Sequence, residues 1–94
     1  MKFKVYEVER IQDDSKDEDR IKFLYANYED AIAKFNELVA EEKMVDWVAE
    51  ALTRDEEDFD DYDLTDTEDY WALYVNQMFD SYYSEVSIIE REVL

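Results

Sequence analysis

The chain has no cysteine, no histidine, no glycine and no proline in its 94 residues. Without cysteine there is no disulfide framework and no thiol chemistry, which fits a reducing cytoplasm. With histidine also missing, nucleophilic catalysis would need a serine or threonine served by an unusual base. The lack of glycine removes every glycine-rich phosphate cradle. Turns are left to Asn, Asp and Ser, whose side chains make local backbone hydrogen bonds. Bases are scarce: 10 Lys and Arg stand against 28 Asp and Glu, a formal net charge of −18. Charge of that size opposes compaction by self-repulsion and favours solubility. It also repels phosphate, so direct binding to DNA, RNA or an anionic membrane is not expected at ordinary salt. No apolar run approaches the length of a membrane span. The N-terminus, MKFKVYEVER, lacks the continuous apolar segment of a signal peptide. The expectation is a soluble cytoplasmic protein, monomeric or dimeric, whose natural partner is basic.

What is present argues for a fold. Hydrophobic residues make up 47% of the chain and aromatic residues 16%, whereas disordered sequences are poor in aromatic and β-branched residues. Residues 1–94 make one domain with one modest core.

Residues 3–11, FKVYEVERI, read as a strand with imperfect alternation: Phe3 and Val5 share one parity, Tyr6 and Val8 the other. Either both faces are partly covered or the strand is bulged. Residues 12–20 are polar and read as a loop, and 21–26 read as a second strand. Asn27 suits a helix N-cap, with Glu29 and Asp30 in the first turn, where the helix dipole favours acids. Tyr28, Ala31, Ile32, Phe35, Leu38 and Val39 then form one apolar stripe at helical spacing. Beyond Glu41 the apolar residues Met44, Val45, Trp47, Val48, Ala51 and Leu52 point the other way, so a break is expected near residues 41–43. Residues 54–69 read as an acidic loop. A strand at 70–76, a turn near 77–81 and a last strand at 82–93 follow from the Tyr, Trp, Val and Ile content. The alternative is a helix over 67–82, where Thr65 and Glu68 would form a capping box. The expected fold is α+β with the order ββαββ: a small antiparallel sheet with one long or broken helix on a face.

The segment DEEDFDDYDLTDTED, residues 55–69, has ten acids in fifteen positions and no base. Its candidate partner-binding residues are Asp55, Glu56, Glu57, Asp58, Phe59, Asp60, Asp61, Tyr62, Asp63, Asp66, Glu68 and Asp69. Fully extended it would span roughly 50 Å, about one carboxylate per 5 Å, against one phosphate per roughly 3.4 Å of axis along a DNA strand. A second cluster, Asp13, Asp14, Asp17, Glu18 and Asp19, widens the footprint if the fold brings the two together. Phe59 and Tyr62 suit either interface anchors or pins that hold the acidic loop to the domain. Trp71 and Trp47 suit core packing. With 28 acids, carboxylate pairs arise by chance and do not indicate glycosidase chemistry. No calcium loop is present. Counting from Asp61, Asp63 fits the third place, but Thr65, Asp66 and Ala72 break the fifth, sixth and twelfth. No enzyme activity, metal or cofactor is expected.

In being short, Cys-free, strongly acidic and aromatic-rich, the chain resembles the small acidic inhibitors made by bacteriophages and mobile elements, which include anti-CRISPR and anti-restriction proteins. The resemblance is one of class and rests on no diagnostic motif. It implies an inhibitor that mimics DNA and occupies the nucleic-acid site of a host nuclease, for example an RNA-guided one. The alternative is a non-enzymatic interaction module whose acidity serves solubility and which dimerises through Met44, Trp47 and Val48.

Overall fold

A computed structural model describes residues 3–14 and 17–93. Strands β1 (Phe3–Asp13) and β2 (Glu18–Tyr25) form a hairpin. Helices α1 (Tyr28–Glu42) and α2 (Asp46–Thr53) follow, then a single 3-10 turn (Glu56–Asp58). Three more strands complete the chain: β3 (Asp61–Asp66), β4 (Tyr70–Gln77) and β5 (Asp80–Val93). All strand pairs are antiparallel and form one sheet in the order β2-β1-β5-β4-β3.

The expected ββαββ order is therefore wrong, although the fold is still mixed α+β. The finding that overturns it is β3, a fifth strand inside the stretch read as an acidic loop; the helix is divided in two after Glu42, near the break expected at 41–43. DYDLTD disguises a strand because aspartate disfavours one. Its even-numbered residues nevertheless face the core layer, where Tyr62 pairs with Val75 and Leu64 with Leu73. The helix considered for 67–82 does not form, since β4 and the start of β5 occupy that stretch.

The helices cover one face of the sheet. Val8, Trp71, Leu73, Val75 and Val86 point inward from the strands and meet Ala31, Phe35, Leu38, Val48 and Ala51 from the helices, all buried. Helix α1 starts where the Asp30 backbone N–H donates to Asn27 Oδ1 at 2.9 Å, satisfying one of the orphan donors of the first turn. It ends at Glu42. The Met44 and Val45 N–H groups bond to the Glu41 and Glu42 carbonyls, at 3.0 and 3.1 Å, and the tight turn reorients the chain so that the second apolar stripe also faces the sheet. Trp47 packs on Tyr82 with ring centroids 5.4 Å apart, and Val48 is buried. Of the three residues considered for dimerisation, Met44 alone is largely exposed.

The α1 stripe carries one carboxylate into the interior. Glu42 is 1% exposed. Its Oε1 accepts from Gln12 Nε2 at 2.6 Å and its Oε2 from Ser84 Oγ at 2.7 Å. Arg10 Nε lies 3.6 Å from Oε1.

Among the described residues, no layer covers the other face of the sheet. Cross-strand register places Phe3, Val5, Glu7, Glu9, Ile11 and Asp13 of β1 there, so both parities of β1 have a use and no bulge is needed. β4 and β5 join through a two-residue turn, Met78 and Phe79, closed by the Gln77–Asp80 pair. Met78 has φ +59°, at the place where such a turn normally carries glycine. A side chain there costs about 1–2 kcal/mol. The Met78 N–H donates to Asp60 Oδ2 at 2.9 Å, which ties the turn to the start of β3. Among the described residues, no helix is long and apolar enough to cross a membrane.

Candidate acidic interaction surface

The first acidic cluster and the Asp61–Asp63 end of the second lie at the same end of the sheet, on opposite flanks. Register alone establishes this. Glu18 pairs with Asp13, Asp13 with Tyr83, Tyr83 with Tyr74, and Tyr74 with Asp63. This row crosses all five strands on the uncovered face. At about 4.8 Å per strand, Asp13 and Asp63 stand roughly 14 Å apart, and Glu18 and Asp63 roughly 19 Å. The β1–β2 turn adds Asp14 and Asp17, held where the Asp17 N–H donates to Asp14 Oδ1 at 2.9 Å. Before β3, Asp55 caps the 3-10 turn, and Glu56 and Glu57 of that turn line a shallow hollow with Phe59, Asp61 and Tyr62.

The floor between the two acidic flanks is aromatic and fixed. Tyr70 and Tyr83 both donate to Glu85 Oε1, at 2.8 and 2.6 Å. Burial and the bond to Glu85 push the Tyr83 phenol well above its usual range. Tyr70 is also raised: its bond with Tyr83 acts downward, and burial together with the Glu85 bond outweighs it. Asp13, Tyr74, Tyr83 and Phe79 line an open groove of about 380 Å³ over this floor.

Charge is unevenly compensated. Lys4, Arg10, Arg20, Lys22, Lys34 and Arg91 form ion pairs on the β1–β2–α1 side, with Glu90, Asp19 and Glu42, Glu18, Glu7 and Glu9, Glu37, and Glu7 respectively. On the β3 side, among the described residues, Arg54 alone pairs, with Glu50 and Asp58. Among the described residues, no base lies within ion-pair distance of Asp55, Glu56, Glu57, Asp61, Asp63, Asp66 or Glu68. The excess is felt nearby: burial and the Glu68 and Asp69 carboxylates raise the Tyr28 phenol.

The sequence-derived site residues thus divide by job. Asp58 holds Arg54, which stacks 5.0 Å from the Phe59 ring. Phe59 and Tyr62 stack at 5.8 Å and are half-buried against the core, so they pin the segment. Asp60 clamps the β4–β5 turn. Asp66, Glu68 and Asp69 sit at the far end of β3, about 17 Å from Asp61 at about 3.4 Å per residue. Asp69 Oδ1 accepts from Thr67 Oγ1 at 3.3 Å. The segment is therefore a short turn followed by an edge strand, not a 50 Å line. Trp71 is fully buried.

Sequence reasoning missed three participants: Tyr74, Tyr83 and the Met78–Phe79 tip. The alternation of β4 and β5 carried the signal for the tyrosines, once the register was known. Among the described residues, no group of three or more Asp or Glu is arranged to hold a metal ion. Ser84, a hydroxyl beside a carboxylate, is sealed in the core. No protein-family model, curated protein or solved structure matches this chain.

Proposed function

We propose that this protein is a non-enzymatic inhibitor that mimics nucleic acid and occupies the DNA-binding site of a host nuclease, such as an RNA-guided one, in the cytoplasm of a bacterium. One observation carries the reading: carboxylates on β3 that meet no base among the described residues, and a second acidic cluster on the β1–β2 turn, flank a tyrosine floor roughly 14 Å wide. The major groove of B-DNA, bordered by two phosphate rows, is about 12 Å wide. A carboxylate accepts the same bidentate arginine contacts as a phosphate, and the sites that hold a guide–target duplex are positively charged channels.

The test is competition. A purified, guide-loaded RNA-guided nuclease is bound to a labelled target duplex and titrated with the protein. DNA release that weakens as salt rises is the expected result. The variant to compare is Asp55→Asn, Glu57→Gln, Asp61→Asn, Asp63→Asn, because these side chains are exposed and hold nothing in the fold. Equal release by this variant and the wild type would sink the proposal.

A second reading has its own observation. β3 is an edge strand, and charged side chains on an edge block strand addition and aggregation. On that reading the same variant aggregates, and the wild type displaces no DNA from any such nuclease.

A further inference from the structure

The Met78–Phe79 turn reverses the usual composition of a hairpin tip. Two-residue hairpin turns carry Asn, Asp and Gly. Here polar residues flank the turn, Asn76 and Gln77 before it and Asp80 and Ser81 after it, while the two apolar side chains occupy the tip. Both are held in water: Met78 is 82% exposed and Phe79 is 101% exposed. Phe79 also borders the groove floored by Tyr74 and Tyr83. Asp60 fixes the tip through the Met78 N–H, so the tip is presented on a braced hairpin. Acids predominate around it: Asp80 closes the turn and Asp60 and Asp61 adjoin Asn76, while the nearby Arg54, which lines a pocket with Gln77, is paired with Glu50 and Asp58. The other exposed apolar group differs in this respect. Phe3, Leu24, Ile89 and Val93, at the opposite end of the uncovered face, surround the Glu7–Arg91 pair, a mixture of signs that specifies no partner.

We infer that Met78 and Phe79 are the apolar anchor of an interface, and that the partner is a protein surface in which an apolar socket is ringed by Arg and Lys. The inference rests on the acidic-surface reading above and adds what that reading lacks. Carboxylates alone would bind any polycation, whereas a braced aromatic tip beside a row of acids selects a basic surface with a matching cavity. Aromatic residues in such central positions carry a large share of interface affinity.

Two labelled synthetic peptides test this without knowledge of the target. Both have the same number of arginines, interleaved with leucine in one and with serine in the other, and binding is read by fluorescence anisotropy. The wild type binds the Arg/Leu peptide about tenfold more tightly than the Arg/Ser peptide, as expected for one apolar side chain taken out of water. Phe79→Ser removes that preference, and Phe79→Leu keeps it. Phe79 makes no core contact, so a thermal melt shows Phe79→Ser to be folded. Asp61→Asn with Asp63→Asn weakens binding of both peptides alike. Equal affinity for the two peptides, or a preference that survives Phe79→Ser, overturns the anchor and leaves the acidic surface standing. Affinities unchanged by the aspartate substitutions overturn the acidic reading and the anchor with it.

Discussion

Replacing Glu42 by alanine removes the carboxyl group that two donors share, and that one arginine faces, beneath the helices. Gln12 Nε2 and Ser84 Oγ each lose a short bond to a carboxylate oxygen, at 2.6 and 2.7 Å. Arg10 loses the carboxylate that sits 3.6 Å from its buried Nε, an ion-pair contact, since that Nε makes no hydrogen bond among the described residues. A hydrogen bond to a charged group is worth about 1.5–3 kcal/mol. Stripping one partner from a buried charged set costs about 3–5 kcal/mol. The expected loss for Glu42→Ala is therefore about 3–5 kcal/mol, a large part of the 5–15 kcal/mol that holds a domain folded. For a domain of this size that lowers Tm by on the order of 15–30 °C. Glu42→Gln keeps one acceptor and should lose less. Urea unfolding followed by circular dichroism measures both variants. A cycle with Ser84→Ala isolates the coupling, which for groups in one network is about 0.5–3 kcal/mol. A loss below about 1 kcal/mol for Glu42→Ala would refute the claim that this carboxylate organises the helix–sheet joint.

Three further outcomes follow from the same structure. Tyr83 keeps its proton in the fold at a pH where the unfolded chain, with tyrosine near pKa 10, has released it. Its stabilising contribution is complete below about pH 10 and is lost as pH rises from there toward the folded value; thermal melts in the alkaline range show the decline, and Tyr83→Phe flattens it. Raising salt from about 0.01 M to about 1 M shortens the screening length from about 30 Å to about 3 Å. Tm should rise with it, and rise less in the four-fold neutralised β3-side variant; a salt-independent Tm would mean the acids do not strain the fold. Met78→Gly should stabilise the free protein by about 1 kcal/mol in denaturant titration, because glycine accepts positive φ without the side-chain penalty.

Apolar periodicity made much of the framework legible. Val8, Phe35, Leu38, Trp71 and Val86 all belong to runs whose period or aromatic content marks them as core. The helix break shows in the reversal of the stripe after Glu41. What stayed hidden depends on partners distant in sequence. β3 is invisible to propensity because its strand identity comes from pairing with β4, which buries only Tyr62 partly and leaves its aspartates outside. Glu42 sits four places after Leu38 on the apolar stripe, and that spacing was the one hint that a carboxylate was bound for the interior. The placing of Asp13 and Asp63 at the same end of the sheet was out of reach of local reasoning, since they are joined only through β5 and β4. Nor does composition distinguish an acid that clamps a turn, such as Asp60, from one that meets only solvent, such as Asp61.

The sheet order also has a consequence for how the molecule comes into being. β1 and β5 are neighbours in the middle of the sheet, and Tyr6 faces Glu90 across 84 positions of chain. β1 must wait for β5 before either has its full set of bonds. Until then the β1–β2 hairpin and the β3–β4 pair are two fragments with nothing between them. Such pairing between chain-distant segments is entropically costly to close and slows folding. Like charge on strand edges opposes their association with one another, and a chain of net charge −18 carries that protection through the interval in which its edges are open.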